Sequence, residues 1–189
     1  VHTDGKLPKI KITEISGDQF TPGLGRADGL YRSTAGQEVI SIATGTTSPV
    51  LDTVHEIGHF IDHKIFGKFV KTSDKGAFGS ELASLGESPM RGWYEAVWNT
   101  PTIRRLSALA DPNSSSPLVS AFEHGTVSRV YAQYLMKPRE LWARSYAQYI
   151  ATKTNNPRIK QELLELRRLD MSGGVPYGKT WSDQEFKPI

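Results

Sequence analysis

Residues 48–67 read SPVLDTVHEIGHFIDHKIFG, and the organisation of the chain follows from them. Ser48 suits a helix cap and Pro49 a first helical turn. Val50, Leu51, Val54, Ile57, Gly58, Ile61 and Ile65 then recur at helical spacing until Gly67 ends the run. The spacing predicts a helix of about five turns. In its middle, His55-Glu56-Ile57-Gly58-His59 is an H-E-x-x-H motif. Residues four apart stand one turn apart on the same face, so both imidazoles can reach one metal ion while Glu56 can contact a water beside it. Neutral imidazole, an open coordination position and silent redox chemistry point to zinc. Residue frequencies put a chance match in a chain of this length on the order of one per cent or less. The bland alternative is an ordinary solvated helix stripe.

Around this helix, the 189 residues include 23 Lys+Arg, 20 Asp+Glu, five His and no Cys. The missing cysteines exclude disulfides, thiolate zinc sites, cysteine nucleophiles and iron–sulfur clusters. Any transition metal must therefore be held by histidine and carboxylate. The formal charge of +3 is spread along the chain, so no nucleic-acid partner is expected. The longest apolar run, residues 39–43 with Ser41 inside it, falls far short of the roughly 20 needed to span a bilayer, and no membrane association is expected. VHTDGKLPK at the start has no apolar signal region. A chain opening on Val1 suits a processed product or part of a longer polypeptide.

Residues 10–15, IKITEI, alternate apolar and polar as a half-buried strand does. Residues 16–29 read as a loop, and 30–34 and 38–44 as two strands joined by Ala35-Gly36-Gln37. A small, mostly antiparallel N-terminal sheet is expected. Residues 68–91 read as a polar connection, 92–99 and 102–110 as helices, and DPNSSSP at 111–117 as a linker. Residues 118–135 are moderately helical, and Pro138 and Pro157 open two strong helices before an aromatic tail. The expected fold is α+β, one domain over 1–189. Its parts are a sheet part (1–47), the zinc helix (48–67), an insertion and linker (68–117), a helical part (118–171) and a tail (172–189).

Two histidines leave a catalytic metal one protein ligand short. His63 continues the series, but three residues on one helix line span about 12 Å. A longer H-E-x-x-H-x-x-G-x-x-H pattern would need Gly at 62 and His at 65, where Asp62 and Ile65 stand. His2 and His124 read as surface residues. Glu140 is preferred: it lies in the first turn of the Pro138 helix, on a face continued by Ala143 and Ala147, whose small side chains permit close approach to the zinc helix. A negative charge at a helix N-terminus is the structural alternative for the same residue. Glu123, Glu81, Glu87 and Asp170 are its rivals.

HEIGHFIDH at 55–63, with ELWARSYAQYI at 140–150, resembles the glutamate zincins, in the branch of lethal factor and the Pro-Pro endopeptidases. It resembles more closely the H-E-x-x-H domains appended to phage head-morphogenesis (minor head) proteins, where an E-L-x-A-R segment and a tail like WSDQEFKPI recur. The resemblance covers 50–64, 139–150 and 177–189. It implies a zincin-like fold, His55, His59 and Glu140 as zinc ligands, and Glu56 as the general base of a zinc metalloendopeptidase. It also implies a tyrosine that steadies the oxyanion, for which Tyr134 is chosen over Tyr131. Arg144 stands where lethal factor-like members often carry an acidic residue; it can pair with Glu140 or a neighbouring carboxylate, and Asp62 can orient a ligand imidazole. A protein or peptide substrate would bind as an extended strand along residues 38–44. The location implied is cytoplasmic or virion-associated. The competing reading is a virion-associated structural or interaction domain with a non-catalytic zinc site.

Overall fold

A computed structural model of the chain describes residues 9–16, 28–34, 37–69, 78–85, 88–114, 129–171 and 178–189. The fold is α+β, with a small sheet at one end and a mostly helical remainder. Strands β1 (Ile10–Ile15), β2 (Gly29–Thr34) and β3 (Gln37–Ala43) form a three-stranded sheet in the order β1-β3-β2. β2 is antiparallel to β3, with Tyr31 opposite Ile40, whereas β1 is parallel to β3, with Ile12 opposite Ile40. The sheet is therefore mixed rather than mostly antiparallel. The physical reason lies in β3, whose Ile40, Ile42 and Ala43 are buried. A strand that apolar is best placed in the centre, paired on both sides, and the long connection after β1 lets that strand arrive from the far side. One consequence is that residues 38–44 are no sheet edge: β3 has a neighbour on each side, and among the described residues the outer strands are β1 and β2.

Helix α1 (Pro49–Lys64) has Pro49 in its first turn, but the Ser48 side chain makes no capping bond. Instead the Leu51 N–H donates to Glu162 Oε2 at 2.7 Å, a carboxylate supplied from a distant helix to the positive end of α1. A 3₁₀ turn (Phe66–Phe69) straddles the expected end of the zinc helix at residue 67, and a short helix α2 (Gly79–Ala83) lies within the stretch expected to be a plain connection. Helices α3 (Arg91–Trp98) and α4 (Pro101–Ala110) follow close to their expected bounds. Of residues 118–135, the described part is helix α5 (Arg129–Leu135); the linker is described only as far as residue 114.

Helices α6 (Pro138–Lys153) and α7 (Pro157–Met171) complete the expected set. α6 packs closely on α1. A Cβ built on Gly58 would stand 2.9 Å from Ala143 Cα, so glycine at 58 and alanine at 143 set this separation together. The Trp142 indole N–H donates across the same contact to the Gly58 carbonyl at 3.0 Å.

Two apolar clusters hold the helices. One joins Leu51 of α1 to Ala147, Ala151, Ile159 and Leu163. The other gathers Val97, Ile103, Leu106, Leu109, Ala132, Leu135, Leu141 and Trp181. Trp181, from the segment expected to be a tail, is 1% exposed. Its backbone N–H and C=O are both met by the Gln148 amide at 3.0 and 2.9 Å, and its indole N–H donates to Thr100 Oγ1 at 3.3 Å. Just before it, Gly178 has φ +78° and no room for a side chain, since a Cβ there would come within 2.7 Å of Leu106. A helical turn α8 (Asp183–Phe186) closes the segment with a Ser182–Glu185 capping box.

Candidate metal centre

On α1, the four-residue spacing places the His55 and His59 rings 4.8 Å apart between centroids, at 83° to each other. α6, held close by the Gly58–Ala143 contact, brings Glu140 opposite them. His55 Nε2 lies 3.5 Å from Glu140 Oε2, and His59 Nε2 lies 3.5 Å from Glu140 Oε1. Those separations exceed the 2.7–3.2 Å of a good N–H···O bond. They match the spacing of two donors on one tetrahedral ion, about 3.4 Å for bonds near 2.1 Å. The three ligand atoms lie within 4.8 Å of one another, so this largely buried group can hold a metal ion. Burial raises the Glu140 carboxyl, but the two imidazoles outweigh it and hold it well below the usual carboxylate range. The carboxylate is thus kept in its ligating form.

The three residues open onto a cavity of about 450 Å³ lined also by Glu56, Tyr131, Tyr134 and the β2 residues Gly29 to Tyr31. Glu56 sits beside the triad without belonging to it. Its Oε2 accepts the backbone N–H of Tyr31 at 2.7 Å, and its chain packs so tightly on Gly29 that a Cβ there would meet Glu56 Cγ at 2.8 Å. Burial pushes the Glu56 carboxyl up to about 7, with the Glu140 charge adding to the rise and His55 and the Tyr31 N–H opposing it. A metal dication on the neighbouring triad acts in the same sense as His55, towards the carboxylate.

Tyr134 lines the same cavity, and its ring stacks on that of Tyr131 with centroids 6.0 Å apart. Burial and the adjacent Glu140 charge push its phenol far up, so it stays a proton donor at neutral pH.

Other sequence expectations meet different outcomes. Arg144 is buried, and among the described residues it makes no bond to a carboxylate. Its guanidinium donates to the backbone carbonyls of Glu140, Leu135 and Gly178 and lies 5.2 Å from the Trp181 ring centroid. It fastens α5, α6 and the 178–181 segment together, a task for five fixed donors rather than one charge. Asp62 does not orient a ligand imidazole either. It accepts from Ser80 N at 2.8 Å and Ser80 Oγ at 2.5 Å, tying α1 to α2. Among the described residues, His59 Nδ1 has no hydrogen-bond partner. Among the rivals of Glu140, Glu81 faces Arg139 at 3.8 Å and Asp170 accepts from Thr180; Glu87, Glu123, His2 and His124 lie outside the described residues.

Burial pushes Asp62 up to about 6 from an ordinary 3.8, against the pull of Ser80. A raised folded-state value contributes stability that is complete below the unfolded value and is lost as pH rises through the folded one. Asp62→Asn keeps an acceptor for the Ser80 N–H and removes that loss. Denaturant titrations should therefore show the variant gaining on the wild type by up to about 3 kcal/mol between about pH 4 and pH 7. A pH-independent difference would contradict this.

Two features of the site escaped the sequence reading. Asp52, one turn before Glu56, also lines the cavity and accepts from Thr46 Oγ1 at 2.5 Å; its spacing from His55 on the helix was a usable signal. The Tyr31 amide left no such signal, because a backbone N–H is common to nearly every residue. Compared with models of known protein families, with curated proteins and with solved structures, the chain matches none.

Proposed function

We propose that the chain is a zinc-dependent endopeptidase of zincin-like fold, with His55, His59 and Glu140 as the zinc ligands. The observation that carries this reading is Glu56, a buried carboxylate on the metal-binding helix that faces the same cavity but takes no part in the triad. A purely structural metal site has no use for it. The donor set of two imidazoles and one carboxylate, with a position left for water, suits catalytic zinc. Zinc, when bound, supplies Lewis acidity that makes water nucleophilic near neutral pH.

Glu56 accepts the proton of the attacking water and returns it to the leaving amine nitrogen. A bound dication favours the carboxylate that first takes the proton, and burial of Glu56 favours its holding that proton until it is handed on. The Tyr134 phenol donates to the carbonyl oxygen as that oxygen gains charge. An extended peptide pairs with the outer edge of β2 rather than with β3. The bond from Ala43 N to Asp28 O sets the alternation along this pair, so the backbone groups of Gly29 and Ser33 and the Tyr31 carbonyl face outward for the peptide, the Tyr31 N–H being held by Glu56.

Metal analysis of the purified protein should give about one zinc per chain, lost in His55→Ala. Screening the zinc-loaded protein against a peptide library should yield internal cleavage that chelation abolishes. A metal-free wild type would overturn the metal assignment, and a zinc-loaded protein that cuts nothing would overturn the activity.

A further inference from the structure

Tyr31 touches the base helix twice. Its backbone N–H, on the outer edge of β2, holds Glu56 Oε2 at 2.7 Å. Its side chain runs along α1 instead of into solvent, meeting the Phe60 ring edge-on with centroids 5.9 Å apart. The phenol ends 2.5 Å from Glu38 Oε2 and 2.8 Å from His63 Nδ1. Glu38 is itself fixed, accepting from Ser33 Oγ at 3.0 Å and pairing with Lys64 Nζ at 2.6 Å. With the phenolic proton directed to Glu38, His63 carries its proton on Nδ1 and donates to the phenol oxygen. The chain of bonds leaves no rotational freedom at the ring's far end.

These contacts span residues 56 to 63 of α1, about 10 Å of helix, so they set both the distance and the slide of β2 against α1. That relationship matters for Glu56, since rotation about the last bond of a glutamate side chain is intrinsically soft. Here the Tyr31 N–H fixes one oxygen, while the surface of Gly29 blocks the side chain from retreating.

We propose that Tyr31 is a positioning residue for Glu56, its phenol pinned by Glu38 and His63 so that its amide holds the carboxylate in one orientation. The catalytic consequence rests on the endopeptidase reading; the positioning does not. Packing alone would need only the ring, which phenylalanine supplies.

The test therefore compares Tyr31→Phe and Glu38→Gln with the wild type in two measurements. In the metal-free protein, amide hydrogen exchange at residue 31 should quicken about tenfold or more in both variants while the β3 amides keep their protection. In the zinc-loaded protein, kcat should fall about tenfold with KM and zinc content unchanged. The double variant should be no worse than either single one, because both cut the same chain of bonds. Unchanged exchange at residue 31 in both variants overturns the proposal, whatever the activity. Quickened exchange in a zinc-loaded protein that cleaves no peptide supports the positioning and overturns the endopeptidase reading instead.

Discussion

Glu56→Gln is expected to bind zinc as the wild type does and to lose between about 10² and 10⁴ of its peptide-cleavage rate. Glutamine has the same shape, and its amide oxygen can still accept the Tyr31 N–H that now reaches Oε2 at 2.7 Å. It can also rest against Gly29 in the same place, so the cavity keeps its form. What is lost is a group able to take a proton near neutral pH. The ligand triad does not include residue 56, so metal content should not change. Single-turnover cleavage, measured beside zinc content on the same preparation, checks both halves of the expectation. Cleavage at the wild-type rate would remove Glu56 from the mechanism, while loss of metal would show that its place is structural.

The largest effect on stability is expected at the other end of the chain. Trp181→Ala should cost about 3–5 kcal/mol, the usual range for emptying a fully buried aromatic site. Against the roughly 5–15 kcal/mol that holds a domain together, that is a large share. The melting temperature should fall on the order of 10 °C. The ring is 1% exposed, belongs to the cluster shared by α3, α4, α5 and α6, and lies against the Arg144 guanidinium. Arg144 also holds the Leu135 carbonyl, adjacent to Tyr134, and the Glu140 carbonyl. Thermal unfolding followed by circular dichroism gives the first number, and zinc affinity of the variant shows how far the loosening reaches. A melting temperature close to that of the wild type would mean that the cluster closes over the missing ring.

The candidate metal site was legible in the sequence to the extent that helical periodicity governs it. His55 and His59 share a face because 3.6 residues make a turn, and no tertiary information is needed. Glu140 was reachable because small residues at 143 and 147 announced a close helix contact, which Gly58 completes from the other side. The strand order was not legible. Alternation at residues 10–15 says that a strand forms, but not from which side it joins β3, which depends on a long connection carrying no periodicity. Charged side chains were misjudged for a related reason. Arg144 and Asp62 look like candidates for ligand support when only neighbours in sequence are known, yet their partners are backbone carbonyls and Ser80, supplied by other elements. The burial of Trp181 was hidden because residues 178–182, just before α8, form no helix or strand whose periodicity would betray a core residue.

The clamp around Arg144 also bears on the order in which the molecule is made. His55, Glu56, His59 and Glu140 are all translated before Gly178 and Trp181. A domain folds as a unit during synthesis, so its core is complete only when its last segment is available. Here α5 and α6 are fastened to each other through a guanidinium that needs the Gly178 carbonyl and the Trp181 ring as partners. A nascent chain can thus form α1 and present its two histidines while α5 and α6 still lack the partners that complete the guanidinium clamp between them. On this view the packing around the His55, His59 and Glu140 triad is completed only when residues 178–181 join the core.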